Sequence, residues 1–532
     1  MTRLRKFVLA GSLALPIVIG GWVAQERSSR DGARLFDQVL SLVNDRFVDT
    51  LNAGVLYEKA ARGLVQQLND PYSEFYTPKE NASFTRQSSG RYGGLGMLIE
   101  QQQPSGDIVI VTVYPNTPAQ AAHIFEGDRI IGIDTMTIKG NKDWTSTKVS
   151  ETLIGKIGTQ VDVKFQRPGV PQPIERKFTR AEIHIPAVPF AVMLENKTAY
   201  VPLKQFSEDA VGELQENVNR LAKEGAKSLI IDLRDNPGGI LEQGLAVPDM
   251  FLKEGQPLAS VRGRGDMNQT FNARGGRHIT DLPLVVLVND RSASAAEIAA
   301  GALQDHDRAL IVGTTSFGKG LVQSVYNLDG GYALKLTTAK WYTPSGRSIQ
   351  RERKPGTMQL VDTIKPDSME KESSKKSKPI FKSDAGRTVY GGGGITPDVV
   401  VPADTITTPE QEFFKTVIAP KYALIRSVMY NYALEVKGGV AKDFGMKPEW
   451  RNEIFKRFET AKITTDRPAF DKAAPTVDRM FTSMVTQLAF GDSTAFRRQI
   501  SDDTQLKKAL ELLNKGHTQK DLLSLASAYT KP

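Results

Sequence analysis

The sequence contains no cysteine. Disulfide frameworks, cysteine nucleophiles, thiolate metal sites and lipid attachment through an N-terminal cysteine are therefore excluded. Histidine is scarce, with five residues at positions 123, 184, 278, 306 and 517, and no HExxH pattern supplies the usual zinc-peptidase ligands. Basic stretches lack the interleaved aromatics on which nucleic-acid bases stack, so no nucleic-acid partner is expected. What is present is a globular composition, 40% hydrophobic and 24% charged, over 532 residues. That length predicts about three or four domains and a sizeable buried core. The net charge of +9 is uneven: residues 351–387 hold ten Lys/Arg against six Asp/Glu.

Arg3, Arg5 and Lys6 precede an uncharged run of 17 residues, Phe7 to Val23. Basic residues ahead of an apolar stretch mark an export signal, and this run sits at the short limit for a membrane span. The absence of a good A-x-A site favours a retained anchor over a cleaved signal peptide. Either way the rest of the chain is expected outside the cytoplasm, in the periplasm or cell envelope, with residues 1–25 as anchor or signal.

Apolar spacing predicts helices over 33–48 and 56–68, within a helical region 30–87. A β-rich unit follows over 88–182, with strands at 107–113, 126–134 and 160–165 and a helix at 143–154. From 183 to 404 buried strands at 228–233, 283–288 and 309–312 alternate with helices at 207–223 and 294–303, the pattern of a helix-covered sheet. Residues 353–388 are rich in Lys, Ser and Pro and read as a flexible basic insert. Helices at 409–436, 448–462 and 476–491 fill an extension, 405–532, for which packing or dimer contacts are expected.

Three loops follow the three buried strands, where open α/β sheets place their sites. Arg234-Asp-Asn-Pro-Gly-Gly239 carries paired glycines whose amides can approach a ligand closely. Asn289-Asp-Arg-Ser-Ala-Ser-Ala-Ala-Glu297 runs into a helix N-terminus. Thr314-Thr-Ser-Phe-Gly-Lys-Gly320 sets a lysine between glycines. A serine that attacks an amide needs a base. His306 lies 12 residues past Ser294, between Asp305 and Asp307, and reads as a surface turn. A lysine can replace histidine when it is neutral. The residues alone leave other readings open: lysines beside glycines are common, and Ser294 could simply cap a helix.

The loops together resemble the carboxy-terminal processing, or tail-specific, serine peptidase family. The matching stretches are Leu233-Arg-Asp-Asn-Pro-Gly-Gly239, Ser292-Ala-Ser-Ala-Ala-Glu-Ile298 and Ser316-Phe-Gly-Lys-Gly-Leu-Val-Gln323. Tyr342-Thr-Pro-Ser-Gly-Arg-Ser-Ile349 and Tyr390-Gly-Gly-Gly-Gly-Ile-Thr-Pro-Asp398 extend the match in order and spacing. The resemblance implies a multidomain α/β protein with a crotonase-like peptidase core. It implies Ser294 as nucleophile, Lys319 as base and Gln323 orienting the lysine. The amide of Ala295 and one from Gly238 or Gly239 would form the oxyanion hole. No metal or cofactor is implied. Ala296 is often Ser in the family, a harmless change. Glu297, one turn past Ser294, reads as helix-end charge or a loop holder, with organisation of the site as the alternative. Gln304 and Asp305 also match and read as structural.

The β-rich unit resembles a PDZ domain, which would bind a peptide C-terminus through the loop Gly94-Leu95-Gly96-Met97, supported by Thr117-Pro-Ala and Glu126-Gly-Asp-Arg-Ile-Ile. Many relatives have an arginine before the following Gly-Lys; here Ile154 precedes Gly155-Lys156. The expected partners are protein substrates with free C-termini, with an adaptor protein and a homodimer left open. The rivals are a non-catalytic PDZ scaffold and an acyl-CoA enzyme. Intact Ser294, Lys319 and Gln323 speak against the first, and the export signal against the second.

Overall fold

The structure, a computed structural model, describes residues 31–527 except 169, 266, 276–278, 353–377, 403–406 and 464. The apolar run at 7–23, His278 and most of the basic insert lie outside the described residues. Among the described residues no helix is long and apolar enough to cross a membrane.

The chain divides into two compact units, the smaller comprising residues 31–81 and 323–337 of the described chain. In it, helices occupy 31–46 and Ala53–Gln66. Asn52 starts the second by accepting the Gly54 N–H at 2.8 Å. Strand Glu74–Tyr76 pairs antiparallel with residues 333–335.

The larger unit holds the six-stranded sheet in which the three candidate loops originate. Its order is Val192–Met193, Thr198–Pro202, Ser228–Asp232, Leu284–Val288, Leu310–Gly313, Val399–Val400. All but the first pairing are parallel. Side chains alternate across a strand, and here both faces are buried. Leu229 and Ile231, Leu284 and Val286, and Ile311 face the helices Ala210–Lys223, Leu241–Asp249 and Ala295–Asp305. Ile230, Val285, Leu287, Leu310 and Val312 face the other way, onto Leu506, Ala509, Leu512 and Leu522. Those residues come from helices Thr504–Lys515 and Gln519–Ser527. These two helices are thus one of the two covers that a buried parallel sheet requires.

The β-rich segment forms a five-strand antiparallel path, Met97–Gln101, Ile108–Val113, Arg129–Ile133, Gln160–Gln166, Ile174–Thr179, joined by the short strand Met136–Thr137. Val161, Val163 and Phe165 point into its core while Gln160, Asp162 and Lys164 are exposed. Its helices are Pro118–Ala121 and Ser146–Leu153. Strand Arg91–Gly94 pairs with Ala181–His184 where the segment begins and ends. The outer face of Ile108–Val113 is covered from the extension: Val109 and Val111 pack on Tyr430, Leu434, Met484 and Leu488. Arg426 forks onto Glu100 at 3.0 and 3.1 Å.

Two expectations are corrected, and two strands are added. The helix expected over 409–436 breaks into Thr408–Phe413, an irregular turn over Phe414–Lys421 and Tyr422–Val436. Pro420 has no N–H to donate and its ring obstructs the preceding turn. The expectation of a flexible insert over 353–388 fails at its end, where the chain is paired. Ile380–Lys382 pairs with Thr388–Tyr390, and Arg387 bridges Asp307 and Asp398. Strands Pro257–Gly263 and Gln269–Asn272 were not expected; they pair with each other, and the first also with Ala339–Tyr342.

Leu512 is 1% exposed between sheet and helix cover. Leu512→Ala is expected to cost about 2–5 kcal/mol and to lower the calorimetric unfolding midpoint by several degrees. An unchanged midpoint would contradict the placement of this helix on the sheet.

Candidate active site

Ser294 stands between the end of strand Leu284–Val288 and helix Ala295–Asp305, with φ +56° and ψ −116°. A side-chain-bearing residue adopts positive φ only where its surroundings over-determine it. Here the Ser294 N–H donates to Glu297 Oε2 at 2.8 Å, and its carbonyl accepts from the Glu297 and Ile298 amides. The serine is half-buried at the start of an otherwise fully buried helix.

Glu297 is the hub of the site, and it is fully buried. Its Oε1 accepts from the Ser316 hydroxyl at 2.5 Å and the Gly318 N–H at 2.7 Å. Its Oε2 accepts from the Lys319 N–H at 2.9 Å as well as from Ser294. Two loops from neighbouring strands therefore converge on one carboxylate, and the backbones of Ser294 and Lys319 share one oxygen atom. Burial pushes the Glu297 carboxyl above its ordinary range, opposed by the Ser316 hydroxyl and by the backbone amides of Lys319, Gly318 and Ser294.

The lysine loop is held on its other side as well. The Trp341 indole donates to the Lys319 carbonyl at 3.1 Å, and Gln350 accepts the Gly320 N–H at 2.9 Å. The Ser316 hydroxyl accepts the Ile395 amide at 2.7 Å. At Gly394, φ +96°, a side chain would strike the Ser316 carbonyl at 2.3 Å, so the glycine run at 391–394 lets the chain close over this loop. Gln304 and Asp305, at the far end of the serine helix, grip the fully buried Arg347 at 2.7 and 2.6 Å, in line with a structural role.

The glycine loop lies against the serine loop. Ser292 Oγ donates to the Leu233 carbonyl at 2.8 Å and accepts the Asn289 amide at 2.9 Å. Ala293 N–H donates to the Asn236 carbonyl at 2.9 Å. Gly238, φ +96°, is so close that an added Cβ would meet Ser294 Cβ at 2.8 Å and the Ala295 nitrogen at 3.0 Å. Its own N–H donates to Asn236 Oδ1 at 2.8 Å. Gly239 is exposed, and among the described residues the N–H groups of Gly239 and Ala295 have no acceptor.

His306 ends the serine helix, about 18 Å from Ser294 along the axis at 1.5 Å per residue. It is not the surface turn expected: its side chain is 4% exposed, with Nε2 on the Pro257 carbonyl and Nδ1 beside Asp384. Gln323 lies in the smaller unit, where its amide donates to Thr337 Oγ1 at 3.4 Å.

Gly94, Leu95 and Gly96 are buried and Met97 half-buried, at the entry to the terminal strand Met97–Gln101. The carbonyls of Leu95 and Gly96 accept from Ala119 and Tyr114, while their amides have no acceptor among the described residues. Gly96 has φ +85°, and a side chain there would meet Thr117 at 2.3 Å. Its smallness is demanded first by packing on Thr117, whatever ligand the loop takes.

A profile of Peptidase family S41 matches residues 197–367. The carboxy-terminal-processing protease of Bartonella bacilliformis is 37% identical over 320 residues, 59% of this chain and 72% of that protein. The carboxy-terminal processing protease CtpA of Bacillus subtilis is 32% identical over 348 residues, 65% and 73% of the two chains. The solved photosystem II D1 C-terminal processing protease is 28% identical over 68% of this chain and 86% of its own, with a TM-score of 0.36. With two loops converging on one buried glutamate and a relative of this identity matched over 72% of its own length, the chain belongs to the carboxy-terminal processing proteases, serine-type peptidases of family S41.

Proposed function

We propose that the chain is an exported endopeptidase that cuts proteins selected by their C-terminal tails through a Ser294–Lys319 dyad and an acyl-enzyme. The observation that carries this reading is the Glu297 carboxylate, which binds both the serine and the lysine loop. Lys319, as the neutral amine, takes the proton from Ser294 Oγ as the oxygen attacks the scissile carbonyl carbon. The oxyanion is received by the N–H groups of Gly239 and Ala295; the bond from Gly238 N–H to Asn236 favours Gly239 over Gly238 for this role. Collapse expels the amine, which takes the proton from Lys319. Water then attacks the acyl-enzyme, with Lys319 again as base. Gln323, four residues after Lys319, keeps the lysine-orienting role that the family resemblance gives it. The crotonase-like core and the boundaries 88–182 and 183–404 belong to the same reading, as does export through residues 1–25.

The β-rich module supports tail selection. The loop 94–97 opens onto an edge strand, the amides of Leu95 and Gly96 are available, and helix Ser146–Leu153 lies beside that strand. A peptide adding as a strand there would place its carboxylate on those amides.

Ser294→Ala is expected to abolish cleavage of an internally quenched peptide with circular dichroism unchanged. Ser292→Ala loses only a loop tie and retains activity; a dead Ser292→Ala beside an active Ser294→Ala would reverse the assignment. Lys319→Arg is as inactive as Lys319→Ala, because guanidinium does not give up its proton. Wild-type kcat/KM rises with pH as the amine becomes neutral, and an active Lys319→Arg enzyme would overturn the base assignment.

Glu297→Gln turns an amide NH2 toward N–H donors, leaving buried groups unpaired at about 1–3 kcal/mol each. Peptidase activity is expected to fall by about two orders of magnitude, as for loss of an oxyanion donor, together with a lower unfolding midpoint. Full activity in this variant would remove the hub from the account.

Full-length Ser294→Ala protein is expected to bind a fluorescent peptide with a free carboxylate about 10–100-fold more tightly than its C-terminal amide, the worth of a charge-assisted hydrogen bond. The full chain is the proper sample because the extension covers Val109 and Val111 of the module. Equal affinities by anisotropy would rule out carboxylate capture.

A further inference from the structure

The loop that carries Gly238 and Gly239 begins at a buried ion pair. Asp232, 2% exposed at the end of strand Ser228–Asp232, is bonded to the Arg234 guanidinium at 2.7 Å. The Tyr200 hydroxyl donates to the same carboxylate at 2.6 Å. Burial works against the charge on Arg234, yet Asp232 and Asp503 hold its pKa above the ordinary value. The second face of the guanidinium turns to the C-terminal extension. Nη1 and Nη2 donate to the two oxygens of Asp503 at 2.9 and 2.7 Å, a bidentate fork, and Nη1 also reaches Gln505 Oε1 at 3.2 Å. Phe496 of the extension stacks on Tyr200 with ring centroids 4.2 Å apart. These residues line a cavity of about 820 Å³ together with Asn289, Arg291 and Thr314. Asp503 lies well beyond residues 197–367, the part matched by the family profile.

From Arg234 the chain runs directly into the site. Leu233 receives the Ser292 hydroxyl, Asp235 is tied to Asn289 and Arg291, and Asn236 holds both Ala293 and Gly238. A shift at Arg234 therefore reaches both the glycine loop and the serine loop.

We propose that Asp503 is a positioning residue for the peptidase reaction: through the Arg234 fork, the C-terminal extension fixes the loop that presents the glycine amides to the oxyanion. A pair that forks in two parallel bonds sets orientation as well as attraction, and oxyanion donors act only when correctly placed. The effect must then fall on the transition state and spare ground-state binding.

The inference rests on the serine peptidase reading above, and the test separates the two. Asp503 also caps helix Thr504–Lys515, accepting the Leu506 N–H at 2.9 Å. Asparagine caps as well as aspartate, so Asp503→Asn removes the charge and keeps the cap. With the full chain and an internally quenched peptide bearing a free C-terminus, Asp503→Asn is expected to lower kcat about tenfold or more, a fraction of the loss of an oxyanion donor, with KM and unfolding midpoint near wild type. Asp503→Glu restores the charge and recovers part of the loss, and Asp502→Asn, on the exposed neighbour, behaves as wild type. A wild-type kcat in Asp503→Asn, a loss expressed in KM, or an Asp503→Glu enzyme no better than Asp503→Asn would overturn the positioning role. If Ser294→Ala protein cleaves the same peptide, the peptidase reading itself fails and the inference with it.

Discussion

Four donors meet on the carboxylate of Glu297: the hydroxyl of Ser316 and the backbone amides of Gly318, Lys319 and Ser294. A fully buried carboxylate is tolerated only with such partners, and here the partners are two loops that need to be joined. The strained backbone of Ser294, at φ +56°, belongs to the same arrangement, since its amide donates to Glu297 at the head of the helix. The chain spends its hydrogen-bonding capacity on geometry at the point where geometry matters most.

Around that hub the fold supplies position and little chemistry. The parallel sheet delivers three loops to one edge, and its two faces are covered by different parts of the chain. The cover on one face comes from helices beyond residue 500, and the same extension touches the β-rich module through Arg426 and Tyr430. The extension is therefore bonded to the sheet, to the module and, through Arg234, to the start of the glycine loop.

The sequence makes some of this legible and hides the rest for physical reasons. Strands Ser228–Asp232, Leu284–Val288 and Leu310–Gly313 are buried on both faces, so they read as unbroken Val/Ile/Leu runs. Pro257–Gly263 is partly exposed and holds Arg262 and Gly263, so no clean alternation marks it. The helix break at Ala419-Pro420 was readable from Pro420 itself. Glu297 looks like ordinary acidic charge in a first helical turn; only the fold brings the Ser316-Phe-Gly-Lys segment against it, 19 to 22 residues later in the chain. Asp503 resembles any capping aspartate, and its second role depends on an arginine 269 residues away. The motifs mark the candidate site, whereas the contacts that hold it together span separations no local pattern records.

The account stands on Ser294 being the oxygen that the acyl group joins. Acid quenching during turnover of a peptidyl p-nitrophenyl ester, followed by peptide mapping by mass spectrometry, reads this directly. The account predicts a single acyl adduct on Ser294 in the wild type and none in Lys319→Ala. An adduct on another residue, or turnover with no covalent species in a quench fast enough to capture one, would contradict it.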